Sequence, residues 1–189
     1  MLELSLHLLD IVQNSIEAGA SKIEIIIDED LKADKLLIEI RDNGRGMSED
    51  QVAKVLDPFY TTRKTRHIGL GIPLFLEACR RCEGDLKIFS KPGEGTTVQA
   101  TFRHSHIDRA PLGDIPSVLI TVLLAENPVD WLYIHRINEE EFQLDFSEIR
   151  KELEGVPISH PKVRRWLMNA LVEGEKELSL KAAPVRATA

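Results

Sequence analysis

Residues 39–47 read Glu-Ile-Arg-Asp-Asn-Gly-Arg-Gly-Met, and they constrain this chain more than any other stretch. A strand-like run over 36–40 halts at Asp42, and Gly44 and Gly46 follow at once. Asp42 supplies a carboxylate, which accepts hydrogen bonds and donates none. The glycines, lacking Cβ, let the backbone turn tightly and approach a ligand closely. An acceptor at a strand end beside bare backbone suits a flat, amino-bearing ring. The competing reading is a surface turn, since Asp-Asn-Gly is ordinary turn chemistry.

The neighbouring elements follow from periodicity. Residues 2–18 place Leu4, Leu8, Ile11 and Ser15 at helical spacing, with Val12 and Ile16 widening the stripe. His7, Asp10, Asn14 and Glu17 form a polar line on another face, either solvated or functional. In the functional case Asn14 offers an amide oxygen to a hard cation such as Mg²⁺, and Asp10 orients a nucleophile one turn earlier. Segments 22–28 and 35–41 alternate as strands and predict an antiparallel hairpin.

Ser48 to Gln51 is a capping-box pattern that starts a short helix over 49–56. Residues 57–67 run apolar, then hydroxyl-rich, then basic, which suits either a phosphate clamp or an exposed loop. Gly69 and Gly71 precede a helix over 73–83, whose N-terminus is a potential anion site. Cys79 and Cys82 have no second pair and read as structural. Two strands, 85–90 and 96–103, flank a Lys-Pro-Gly-Glu-Gly turn.

Beyond residue 103 the character changes. A linker over 104–116 leads to an apolar segment, 117–127, whose β-branched residues leave helix and strand both open. A hairpin over 131–145, a helix over 147–154 and another over 160–178 follow. Residues 180–189 are expected to be disordered.

At 43% hydrophobic and 29% charged, 189 residues suffice for a proper core. A net charge of −7 argues against nucleic acid and anionic membrane as partners. Two cysteines make no disulfide framework, so a reducing cytoplasm is expected. No signal-peptide pattern or membrane-length apolar run is present in the sequence.

Four motifs occur in order: Asp10-x-x-x-Asn14-x-x-x-Ala18, Asp42-x-Gly44-x-Gly46, Gly69-x-Gly71, and Gly95 with Thr96 and Thr97. Pro58-Phe59-Tyr60-Thr61-Thr62 precedes the third. Over residues 1–104 this resembles the ATP-binding domain shared by gyrase, heat-shock chaperone, histidine kinase and mismatch-repair ATPases, the GHKL or Bergerat fold. The Pro-Phe-Tyr-Thr-Thr segment is most similar to the histidine kinase branch. The run Leu-Leu-Asp-Ile-Val-Gln-Asn-Ser-Ile-Glu-Ala-Gly-Ala also resembles the mismatch-repair branch.

The resemblance implies an α+β, two-layer sandwich, with a mixed sheet and helices on one face. A small C-terminal α/β appendage over 105–179 and a tail over 180–189 would complete the chain. The expected ligands are ATP and Mg²⁺. Asp42 would bind the adenine amino group, with Gly44, Gly46 and Met47 beside the base. Asn14 would hold Mg²⁺, and Ala18 would lie along the same groove. Gly69, Leu70 and Gly71 would meet phosphates under a lid over 57–68, to which Phe59, Thr61 and Thr62 belong. Thr97, or its neighbour Thr96, would support the adenine pocket.

Asp10 stands where the hydrolysing branches usually carry glutamate, so slow turnover is expected. The first motif begins close to Met1, so a phosphoaccepting helix pair is not expected in this chain. His7 is expected to pack or to act at second hand. The implied function is ATP-dependent phosphotransfer or signalling, as a kinase or transferase acting on a partner protein. That partner would be a phosphoacceptor or a redox enzyme subunit. The alternative is a nucleotide-sensing switch without efficient turnover. A homodimer is left open.

Overall fold

The computed structural model describes residues 3–57, 70–123 and 129–183. Helix α1 (Leu4–Glu17) leads into strands β1 (Lys22–Asp30) and β2 (Lys35–Asp42), which pair antiparallel as the alternation predicts. Ile23, Ile25 and Ile27 of β1 and Leu36, Ile38 and Ile40 of β2 face the core and are fully buried. Each such side chain contributes about 1.5–3 kcal/mol on burial.

Helix α2 (Glu49–Val55) starts at Ser48, whose N–H donates to Gln51 Oε1 at 2.9 Å while its Oγ accepts from the Gln51 N–H at 3.4 Å. This is the expected capping box. Helix α3 (Gly71–Arg81) begins two residues earlier than the pattern over 73–83 implied. Strands β3 (Leu86–Lys91) and β4 (Gly95–Arg103) form the next hairpin, and β4 pairs with β2.

Helix α4 (Ile115–Leu123) settles the helix-or-strand alternative for its residues. Ile115, Val118, Leu119 and Val122 are buried at helical spacing, so packing against neighbouring helices outweighs the modest cost of β-branching. Strands β5 (Asp130–Ile137) and β6 (Glu140–Asp145) turn at Asn138, which adopts φ 54°. Helix α5 (Phe146–Glu152) is capped by Asp145, whose carboxylate accepts the Ser147 N–H at 2.8 Å. The expected serine start is therefore corrected, and Ser147 lies inside the first turn. Helix α6 (Pro161–Ala182) runs three residues into the stretch expected to be disordered.

The six strands make one sheet in the order β3-β4-β2-β1-β5-β6. All pairings are antiparallel except β1–β5, so the sheet is mixed. Helices α1, α3, α4 and α6 pack with one another and on the sheet. Their buried residues form one apolar cluster with the inward side chains of the strands. The sheet is thus continuous across residue 104, and β5 docks directly on β1. The segment before α4 is also tied down: Pro111 and Leu112 carbonyls accept the Leu4 and Ser5 N–H groups at 3.0 and 2.8 Å. Those are among the helix-start donors that would otherwise lack partners.

The opposite face of the sheet carries charge ladders. Glu39, 3% exposed, contacts Arg41 and Gln99, which accounts for a carboxylate buried outside the main core. No helix among the described residues is long and apolar enough to cross a membrane.

Candidate functional site

Asp42 ends β2 in register with Thr96 on β4 and Ile23 on β1. Its Oδ1 accepts the Gly44 N–H at 2.9 Å and the Thr96 N–H at 3.2 Å. Its Oδ2 accepts the Ser15 hydroxyl at 2.8 Å. A carboxylate has about four acceptor positions. Three are filled by described residues, from α1, β4 and the loop after β2, and the remaining one lies on Oδ2. The arrangement is therefore an oriented acceptor with room for one more donor.

The loop after Asp42 is stitched on both sides. The Arg45 N–H donates to the Ala18 carbonyl at 3.0 Å, and the Gly93 N–H donates to the Arg45 carbonyl at 2.8 Å. The Met47 N–H donates to Ser90 Oγ at 2.8 Å. Ser90 Oγ in turn donates to the Gly95 carbonyl at 2.9 Å and lies 2.9 Å from Thr96 Oγ1. Gly46 has φ +65°, and a Cβ there would stand 1.9 Å from the Lys91 carbonyl oxygen. Gly95 has φ +94°, and a Cβ there would stand 2.0 Å from the Asp42 carbonyl oxygen. Both positions need the left-handed freedom and the bare backbone of glycine.

Helix α1 is the spine of the site. Asp10, Asn14 and Ala18 follow at four-residue intervals on one stripe, which spans about 12 Å of helix. At the far end Gly71 packs on Asp10, since a Cβ on Gly71 would lie 3.0 Å from Asp10 Cβ and 3.1 Å from Oδ2. At the near end a Cβ on Gly44 would lie 2.9 Å from Ala18 Cβ. Between them Ser15, next to Asn14, joins the helix to Asp42. Three of the four sequence motifs thus meet along one helix, and the Gly95–Thr96 turn closes on Asp42 from β4.

Leu70 provides no side-chain cap to α3, whose first-turn N–H groups have no partner within the helix and whose first residue, Gly71, lies against Asp10. A helix start of this kind carries about half a positive charge. A cavity of about 600 Å³ opens beside Asp42, lined by Glu49, Val52 and Ala53 of α2 and by Ser90, Gly95 and Thr96. That size is ordinary for a small-molecule site. Asp10 and Asn14 are not among its lining residues.

Other site candidates fall differently. Thr96 shares the face of Asp42 and Thr97, one residue on, pairs with Arg41 and Phe89 on the opposite face, while both threonines line the cavity. Phe59, Thr61, Thr62 and Gly69 lie outside the described residues. His7 is 4% exposed and stacks on Phe75, with ring centroids 4.9 Å apart at 11°. Burial and the nearby N-terminal charge push its pKa down to about 4, so it is a neutral core ring at physiological pH. Cys79 and Cys82 are buried free thiols, and burial pushes Cys79 up to about 12. No group of three or more potential metal ligands occurs among the described residues.

Two residues escaped the sequence reading. Ser15 sat in the apolar stripe of α1, and Ser90 stood at a strand end. A hydroxyl inside an otherwise apolar stripe was the available signal, since it must find a partner when buried.

Comparison with known proteins agrees with this geometry. Residues 2–106 match the model of the Histidine kinase-, DNA gyrase B-, and HSP90-like ATPase family. Sporulation kinase C of Bacillus subtilis is 33% identical over 91 residues, covering 48% of this chain and 21% of the kinase. Sensor protein kinase FleS of Pseudomonas aeruginosa is 35% identical over 107 residues, covering 57% of this chain and 26% of FleS. The chain therefore spans about a fifth to a quarter of the length of these two relatives. A crystal structure of the N-terminal domain of a DNA repair protein superposes with a TM-score of 0.51 at 16% identity, covering 77% of this chain and 53% of that one. That likeness concerns the fold alone. A match over more than half of the chain places this protein in the histidine kinase-, DNA gyrase B-, and HSP90-like ATPase family.

Proposed function

We propose that this protein binds ATP between α1, α3 and the β2–β4 sheet end, and passes its γ-phosphate to a partner protein. The observation that carries the ATP site is the Asp42 carboxylate, oriented by Ser15, Gly44 and Thr96 with one acceptor position left. An exocyclic amino group such as that of adenine is the donor this position suits. Gly46 brings bare backbone, and Met47 its side chain, to the edge of the base. Thr96 is preferred to Thr97 as the supporting hydroxyl, because it shares Asp42's face.

The phosphate end would lie at the start of α3, where Gly69, Leu70 and Gly71 offer backbone donors. Phe59, Thr61 and Thr62 would belong to a covering segment over 57–68. Asn14 carries a neutral amide oxygen, the donor type Mg²⁺ takes, one turn from Asp10 on the same stripe. Mg²⁺ would supply neutralisation of phosphate charge. Asp10 would accept a proton from, or orient, the attacking group. Its side chain is one methylene shorter than glutamate, which favours slow hydrolysis over rapid turnover.

The kinase reading draws on the similarity to sporulation and sensor kinases. The partner would be a phosphoacceptor protein or a subunit of a redox enzyme. The second reading, a nucleotide-sensing switch, is favoured by Asp10 and by the continuity of the sheet from the ATP site into β5 and β6. Incubation with γ-labelled ATP and native extract separates the two. Label on a partner protein supports transfer, while tight binding without transfer or phosphate release supports the switch.

A further inference from the structure

Between β1, β5 and α6 lies a row of ionisable side chains remote in role from the nucleotide site. His135 of β5 is 3% exposed. Its Nδ1 lies 2.8 Å from Glu175 Oε2 on α6, and its Nε2 lies 3.0 Å from Glu29 Oε1 on β1. The Tyr133 hydroxyl donates to Glu175 Oε1 at 2.6 Å, and His104 Nε2 meets Glu29 Oε2 at 2.6 Å. The ionisable groups that face His135 are thus Glu29, Glu175 and Tyr133, with His104 behind Glu29. Among the described residues no lysine or arginine pairs with either glutamate.

A neutral imidazole has a single N–H. It would turn a lone pair toward one of the two carboxylates, whereas the imidazolium donates to both. We propose that His135, protonated on both nitrogens, is a proton-held latch that docks α6 on the sheet, and that loss of its second proton releases α6 at Glu175. Burial opposes the charge on His135, yet hydrogen bonds to Glu175 and Glu29 raise its pKa to about 9. A carboxylate left without a donor in a buried site is strongly disfavoured, so one partner must leave. Glu29 sits on an inner strand and keeps His104. Glu175 sits on a surface helix with its side chain 20% exposed, and it can turn to water. The opening therefore runs through α6.

Hydrogen–deuterium exchange of the full chain from about pH 6.5 to about 9.5, corrected for intrinsic chemistry, tests this. The opening constant of α6 amides around Glu175 is expected to rise about tenfold per pH unit above pH ~7, while β1 amides stay flat. NMR of the imidazole is expected to show both N–H groups at neutral pH and titration near 9. Glu175→Gln is expected to lower that titration and to make the rise in α6 exchange level off at lower pH. Should this variant not fold, the wild-type exchange profile and imidazole titration still decide. Exchange in α6 that tracks β1 across the range, a His135 neutral at pH 7, or an unchanged profile in a folded Glu175→Gln protein each overturns the latch.

Discussion

The Ser15 hydroxyl donates to Asp42 Oδ2 across 2.8 Å, joining the helix that carries Asn14 to the strand that ends the candidate base pocket. Twenty-seven residues separate the two in sequence. Ser15→Ala removes one of three donors to the carboxylate and leaves its orientation to Gly44 and Thr96. A hydrogen bond to a charged group contributes about 1.5–3 kcal/mol. ATP affinity is expected to fall roughly ten- to a hundredfold by calorimetric titration. Asp42→Ala should abolish binding while circular dichroism stays native.

Asn14→Ala separates metal from base recognition. The variant should lose most of the increase in ATP affinity that Mg²⁺ confers, and keep the affinity measured in chelator. Equal affinities with and without Mg²⁺ in the parent protein would remove Asn14 from the metal role.

Gly46→Ala tests the loop itself. The new Cβ would meet the Lys91 carbonyl at 1.9 Å in a conformation of φ +65°. Backbone must move, and strain of this kind costs about 1–3 kcal/mol before any clash is added. A fall in the urea midpoint and weakened ATP binding should appear together, because the same loop holds Ser90 and Ala18.

Stability should peak near pH 6.5, between two histidines shifted in opposite directions. Burial depresses His7 to about 4, so its contribution is present above pH 6.5 and is lost as pH falls through about 4. His135 is raised to about 9, so its contribution is full below pH 6.5 and is lost as pH rises through about 9. Each limb can change stability by at most about 1.4 kcal/mol per pH unit. Denaturation midpoints across pH should show both slopes. His7→Phe, which preserves a ring against Phe75, should flatten the acid limb alone.

Gly174 lies inside α6, where alanine would ordinarily stabilise by about 1 kcal/mol. Here its Cβ would stand 2.2 Å from Phe142 Cε2 and Cζ, on a ring packed edge-on to Tyr133. Overpacking costs typically 1–3 kcal/mol. Gly174→Ala is expected to be net destabilising in thermal melts, and Phe142→Leu in the same chain should restore the lost stability.

The element order was legible in the chain because it rests on local periods. The isoleucine alternation over 23–27, the Ser48–Gln51 capping box and the helical stripe of α1 each identify a structure from neighbours a few residues apart. The ordered acidic, amide and glycine positions also pointed to a single site. The described structure brings Asp10, Asn14, Ala18, Asp42, Gly44 and Gly71 along one helix. The glycine of the Gly69–Gly71 pair that touches Asp10 is Gly71. Composition could not choose between helix and strand over 117–127, since apolar β-branched residues serve either when buried.

The amino-acid sequence by itself determined which residues alternate, which cap and which must be glycine, because those properties depend on backbone preference and side-chain period within a few positions. Tertiary structure alone decided that β5 lies parallel against β1, that Thr96 and not Thr97 faces Asp42, and that Ser15 and His135 meet carboxylates from other elements. Strand partners, sheet register and the company of a buried polar group are set by contacts between distant residues. No local pattern encodes them.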